Sequence, residues 1–193
     1  MGNEEVMVKT KDWATPVPAG LVAVAVACFC YFGLLNGHVD GTAAPLIGCW
    51  LLGAFVVQLI VGLVGFKSGD VPGGNLFLVF AAFFMLTGCI AMFVTSSGAA
   101  LDARIDGWAW LAIALALLLW TPAFLKPFGL LSVIVLSLDV ALPFLAVINL
   151  GYLPASLLFI PGYALLVAGL IALYVSGAIV VNTALGKDLY PLR

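Results

Sequence analysis

Asp139 is the one acidic residue of this chain that falls inside an apolar run, at the centre of the stretch 129–149. An ionised carboxylate at mid-membrane depth costs at least ~2.5–3.5 kcal/mol, so Asp139 must face protein or water. Pro143, four residues on, cannot donate the amide hydrogen that the Asp139 carbonyl would otherwise accept, so a free carbonyl and a carboxyl coincide. That pairing suits a polar cavity in which a carboxyl binds a proton. It is equally met by a protonated Asp139 hydrogen-bonded to a neighbouring helix.

Gln58 and Asn149 are the next polar side chains in apolar runs. An amide there either lines a polar path or ties two helices together, the latter worth only about 0.6–2 kcal/mol. The stretch Gly69-Asp70-Val71-Pro72-Gly73-Gly74-Asn75 opens a helix, and the exposed amides at Gly73, Gly74 and Asn75 could receive an anion; it reads equally as a plain turn. His38, the single histidine, falls in a loop and reads as a solvated residue. Cys28, Cys30, Cys49 and Cys89 all lie in apolar runs and read as small buried hydrophobes. No paired carboxylates, His/Glu metal spacing or serine with a base is visible, so neither an enzyme nor a cofactor is expected.

The elements that must hold these groups follow from composition. Of 193 residues, 65% are hydrophobic and 8% charged, which excludes a water-soluble globule and leaves lipid as the solvent for most of the surface. The net charge of −2 and the scattered basic residues exclude nucleic acid as a partner. Six runs long enough to span a bilayer are expected near 18–36, 43–66, 75–97, 107–125, 129–149 and 159–183. Period-2 alternation is absent, so the fold class is all-α, a six-transmembrane-helix bundle in one domain over 18–183, with terminal segments 1–17 and 184–193. Lys9, Lys11, Lys67, Lys126, Lys187 and Arg193 share one side, and Arg104 alone falls on the other. Both termini are therefore expected in the cytoplasm of a multi-pass cell-membrane protein. Trp13, Trp120 and Tyr190 would mark the inner interface, and Trp108, Trp110 and Tyr152 the outer one. Small residues at Gly162, Ala168, Gly169, Ala172, Ser176 and Gly177, and at Gly48, Gly53, Gly62 and Gly65, predict close packing of the sixth and second helices.

Several ordered motifs go further. Thr15-Pro16-Val17-Pro18-Ala19-Gly20-Leu21 precedes the first helix. Gln58 is followed by Gly62, Lys67 and Gly69, then by Gly73, Phe77 and Phe83; Ser137-Leu138 and Asn149 mark the fifth helix. Tyr174, Asn182 and the tail Leu185-Gly186-Lys187-Asp188-Leu189-Tyr190-Pro191-Leu192 close the chain. In order and spacing these resemble the acetate uptake transporter family, which opens with an Asn-Pro-Ala-Pro-Leu-Gly-Leu motif.

The resemblance implies a protomer with its own pore, assembled as a homo-hexameric ring, that passes acetate and sometimes succinate either as a channel or coupled to protons. It also implies a hydrophobic constriction, whose positions here are Val24, Phe80 and Leu138, with Gln58, Asn149 and Asp139 as polar groups along the path. Where the family has Phe, Tyr and Leu, this chain keeps only the Leu, and Asp139 stands where relatives carry an uncharged residue. A narrow apolar waist flanked by amide donors suits a small carboxylate that must shed water to cross. An ionised Asp139 beside that waist would repel the anion, whereas a protonated one would donate a hydrogen bond to it. A channel for neutral amides such as urea and a non-transporting scaffold remain the alternative classes.

Overall fold

The computed structural model describes residues 13–126 and 129–192; Lys9, Lys11 and Arg193 lie outside them. Among the described residues, six helices are long and apolar enough to cross a membrane: α1 Val17–Leu35, α2 Gly41–Lys67, α3 Val71–Ser96, α4 Arg104–Phe124, α5 Leu130–Asn149 and α6 Ala155–Leu185. The six-span, all-helical expectation holds, with ends displaced by a few residues.

The starts follow from local chemistry. Pro18 and Pro72 occupy the first turns of α1 and α3, and Pro45 that of the α-helical part of α2, which starts at Ala44 after a 3-10 turn; a missing amide hydrogen costs nothing there. α3 begins four residues before its expected start because Asp70 caps it, its Oδ1 accepting from the Gly73 amide at 3.0 Å. The turn from α2 to α3 is tight enough to need a left-handed residue, and Gly69 supplies it with φ 81°.

Helix α3 is not uniform. Ala81–Leu86 forms a π-helical turn. The Thr87 amide there reaches back five residues to the Ala82 carbonyl, and the Thr87 hydroxyl takes the Phe83 carbonyl at 2.7 Å. Such turns insert an extra residue and are frequent at functional sites.

Packing runs α4–α5–α6–α1–α2–α3, each helix against the next, while α3 and α4 meet only sparsely. The bundle is thus a curved wall closed along a loose α3–α4 seam. Ala168 and Ala172 of α6 are completely buried, and Gly169 brings that helix against Cys28 of α1. Ser176 of α6 donates to the Pro18 carbonyl at 2.8 Å, giving a partner to a group at the start of α1. In α2, Gly62 and Gly65 lie against Gly74 of α3, and Gly48 lies against Phe93. Gly53 and Gly177 depart from expectation: a side chain at either would meet open space, because both sit on outward faces. The outer surface is apolar, with Leu46, Leu119 and Ile105 among its exposed side chains, as lipid requires.

With six crossings the chain returns to the end from which it started. The Lys67 ammonium lies 4.4 Å from the Trp13 ring centroid, which puts the α2–α3 turn at that same end.

Candidate functional site

A cavity of about 250 Å³ opens at the Lys67 end of the bundle, bordered there by Val17, Asp70, Pro72 and Leu131. It runs inward between α1, α2, α3, α4 and α5. Its inner limit is set by Val24, Phe80 and Leu138, each two turns deeper than the mouth residues Val17, Gly73 and Leu131 of the same helix. Three helices therefore deliver the three expected constriction positions to one place. The approach of α1 to α3 depends on Gly20, where a Cβ would stand 2.6 Å from the Phe77 ring. This gives a packing reason for the glycine in the motif before α1.

Gln58 forms part of the cavity wall. It is completely buried, and neither Oε1 nor Nε2 has a hydrogen-bond partner among the described residues. Leaving a buried amide unpaired costs about 1–3 kcal/mol, so a polar guest is the natural complement of this wall. Among the described residues, Asp70 is the one charged residue of the lining, and no basic side chain joins it.

The glycine turn at the mouth is arranged differently from a free anion site. Asp70 holds the Gly73 amide with its carboxylate and the Gly74 amide with its carbonyl, the latter at 2.9 Å. The Asn75 side chain donates to the Val71 carbonyl at 2.9 Å. Gly73 lines the cavity, whereas Gly74 packs against the Phe66 ring and Asn75 faces a groove beside Trp120. The expectation of exposed amides at all three positions is corrected here, because the chain's own carboxylate occupies the helix start.

Asp139 points elsewhere. Its Oδ2 is 2.6 Å from the Thr121 hydroxyl of α4, and its Oδ1 is buried without a partner. The same hydroxyl is 2.9 Å from the Leu117 carbonyl. The single proton of the Thr121 hydroxyl is thus shared between the Leu117 carbonyl and the Asp139 carboxyl. The pair joins α4 to α5 outside the cavity lining. Asn149 lies eleven residues beyond Leu138, on the same face of α5 and about 16 Å further along, so it also falls outside that lining.

A second, wider cleft of about 1250 Å³ lies at the opposite end, bordered by Thr87, Asp102, Arg104, Asp106, Trp108, Leu150 and Tyr152. Arg104 is committed to Asp102 through Nε at 2.8 Å and Nη2 at 2.6 Å. That hydrogen bonding pulls the Asp102 carboxyl down to about 2. In the neighbouring loop Asp40 accepts from the Thr42 side chain and amide, which lowers its carboxyl as well.

The described chain has family partners. A model of the GPR1/FUN34/yaaH family matches residues 3–185. The chain belongs to that family. This is the acetate transporter family that the ordered motifs resemble. A solved structure described as the bacterial acetate channel SatP superposes with a TM-score of 0.82 at 22% identity, covering 94% of this chain and 99% of that one. No curated protein matches in sequence.

Within this family member, the C-terminal signature has a structural role. Asn182 accepts from the Leu189 and Tyr190 amides at 2.9 and 3.0 Å and donates to the Tyr190 carbonyl at 2.8 Å. Tyr174 donates to the Pro191 carbonyl at 2.9 Å. The tail is thereby tied along α6. Sequence reasoning missed Trp110. Its ring turns inward and packs on Phe84, with ring centroids 5.4 Å apart. Its heptad spacing from Leu117 and Phe124, both inward, was the available signal.

Proposed function

We propose that this family member passes acetate across the membrane through a pathway of its own in each protomer, with the Gln58 cavity as one half of it. Gln58 carries the proposal, because its unpartnered amide offers a donor and an acceptor in an otherwise apolar wall. A carboxyl group complements both atoms at once when it keeps its proton: the carbonyl oxygen accepts from Nε2 and the hydroxyl donates to Oε1. The presence of Asp70 at the mouth, with no basic side chain among the described lining residues, supports passage as a proton–acetate pair over passage as a bare anion. Val24, Phe80 and Leu138 form the hydrophobic waist, which selects for a short apolar tail. Succinate, larger and with a second carboxylate to neutralise, should cross more slowly. Neutral amides such as urea would also satisfy Gln58, which makes them the natural comparison solute.

The Lys67, Lys126 and Lys187 end faces the cytoplasm in this account, and the exposed apolar faces meet lipid and sister protomers of a ring hexamer. The test is radiolabelled acetate uptake into proteoliposomes at pH 5.5 and 7.5, with and without a proton gradient, alongside urea. Acetate flux above protein-free vesicles that follows the proton gradient is expected. Urea flux exceeding acetate flux would replace this reading by the neutral-amide one.

A further inference from the structure

The helix faces that line the Gln58 cavity continue past its end. On α1, Tyr31 stands seven residues beyond Val24; on α4, Leu117 and Trp110 stand seven and fourteen residues back from Phe124; on α5, Leu142 stands four residues beyond Leu138. Steps of four or seven return a helix to nearly the same face. On α3, Phe84 follows Phe80 within the π-helical turn. The axis of the cavity therefore runs into Tyr31, Phe84 and Trp110, and their rings fill it. The Tyr31–Phe84 centroids are 4.9 Å apart, Phe80–Phe84 5.6 Å and Phe84–Trp110 5.4 Å. Leu117 and Leu142 are buried in the same layer. Beyond it, beginning at Thr87, lies the wide Arg104 cleft.

We propose that Tyr31, Phe84 and Trp110 form a second, aromatic barrier in the pathway, that it opens by reshaping the π-helical turn, and that it sets the size of solute that crosses. The proposal rests on the reading of the Gln58 cavity as part of a pathway. Two features of α3 suit Phe84 to move. The Phe83 carbonyl is held by a hydroxyl that can rotate, so a shift between π and α geometry need not strand it. The Phe84–Trp110 pair also bridges the α3–α4 seam, where the two helices have little else between them. On the far side of the turn, Gly88 leaves room for the Tyr31 hydroxyl, which a Cβ there would displace.

The test uses the full chain in proteoliposomes with Cys28, Cys30, Cys49 and Cys89 replaced by Ala and Val24→Cys as the reporter. A small membrane-impermeant thiosulfonate is applied to one face at a time. With Phe84 intact, position 24 should react from the Lys67 face and resist reagent from the Arg104 face. Phe84→Ala should raise the Arg104-face rate about tenfold, the effect of losing the two aromatic contacts that close the barrier. It should also speed butyrate more than acetate. Thr87→Val, which frees the Phe83 carbonyl, should raise the same rate about threefold. Unchanged Lys67-face reaction shows that a variant is folded; if Phe84→Ala loses it, the smaller cut Phe84→Leu decides. Equal reaction from both faces with Phe84 intact, or no change in a folded Phe84 variant, would overturn the barrier. Thiol reaction needs no acetate, so a barrier that passes this test in a protein with no acetate flux would reject the proposed solute alone.

Discussion

The two openings of the bundle are built on opposite principles. The Gln58 cavity is narrow, apolar and held by five helices, with one unpartnered amide in its wall. The Arg104 cleft is about five times larger and carries Asp102, Arg104 and Asp106, with its arginine already neutralised. A charge at the wide end is solvated and screened, so it can steer a solute and do little else. A polar atom in the narrow end has no water to compete with, so the solute must supply its partner. Selection is therefore concentrated in the narrow half, and substitutions there should weigh more.

Gln58→Leu should show the largest effect. It removes the amide that complements the solute, and acetate flux should fall roughly five- to a hundredfold, from two neutral hydrogen bonds of ~0.5–1.5 kcal/mol each. Flux within twofold of the parent would erase the contrast between the two ends. Leu138→Ala ranks next. It enlarges the waist, so propionate and butyrate should gain on acetate in competition uptake, while thermal unfolding shows a loss near 2 kcal/mol, the low end for a buried leucine that already borders a cavity. Unaltered size preference would show that the waist lies elsewhere, with the aromatic layer as the first place to look.

Asp139→Ala sharpens the comparison from a different side. Because Asp139 bonds to Thr121 on α4 and lies off the cavity lining, its loss should lower stability by about 1–3 kcal/mol and leave the pH profile of acetate flux in place. A flattened profile would put Asp139 in the transport step. Asp102→Asn should matter least. Arg104 holds the Asp102 carboxyl near 2, below its unfolded value of about 3.9, so the pair is intact above pH 4 and is lost only as pH falls through about 2. Any stimulation of flux between pH 7.5 and 5.5 should thus survive Asp102→Asn, as uptake across that range would show.

The six spans were legible because length and hydropathy alone decide what crosses lipid. The convergence of Val24, Phe80 and Leu138 was not legible from periodicity, since each helix has several apolar faces and nothing local says which one turns inward; it came from resemblance. The capping of α3 was readable in principle: an aspartate directly before Val71-Pro72 is an N-cap signal, and it fills the anion position that the glycines suggested. The π-helical turn left no trace in the apolar pattern, because all six residues of Ala81–Leu86 are apolar, whichever face an α-helix or a π-turn would present. The inward turn of Trp110 was not legible from the aromatic-belt rule, which concerns depth in the bilayer and is silent about which side of the helix an aromatic ring takes.

The central claim is that acetate crosses through the Gln58 cavity, and blocking that cavity tests it most directly. Val24→Cys in the cysteine-free protein is first shown to carry acetate and is then fully modified with a bulky thiol reagent from the Lys67 face. The account predicts that flux falls to the level of protein-free vesicles and returns when a reductant removes the adduct. Full modification at position 24 with acetate flux unchanged would contradict it.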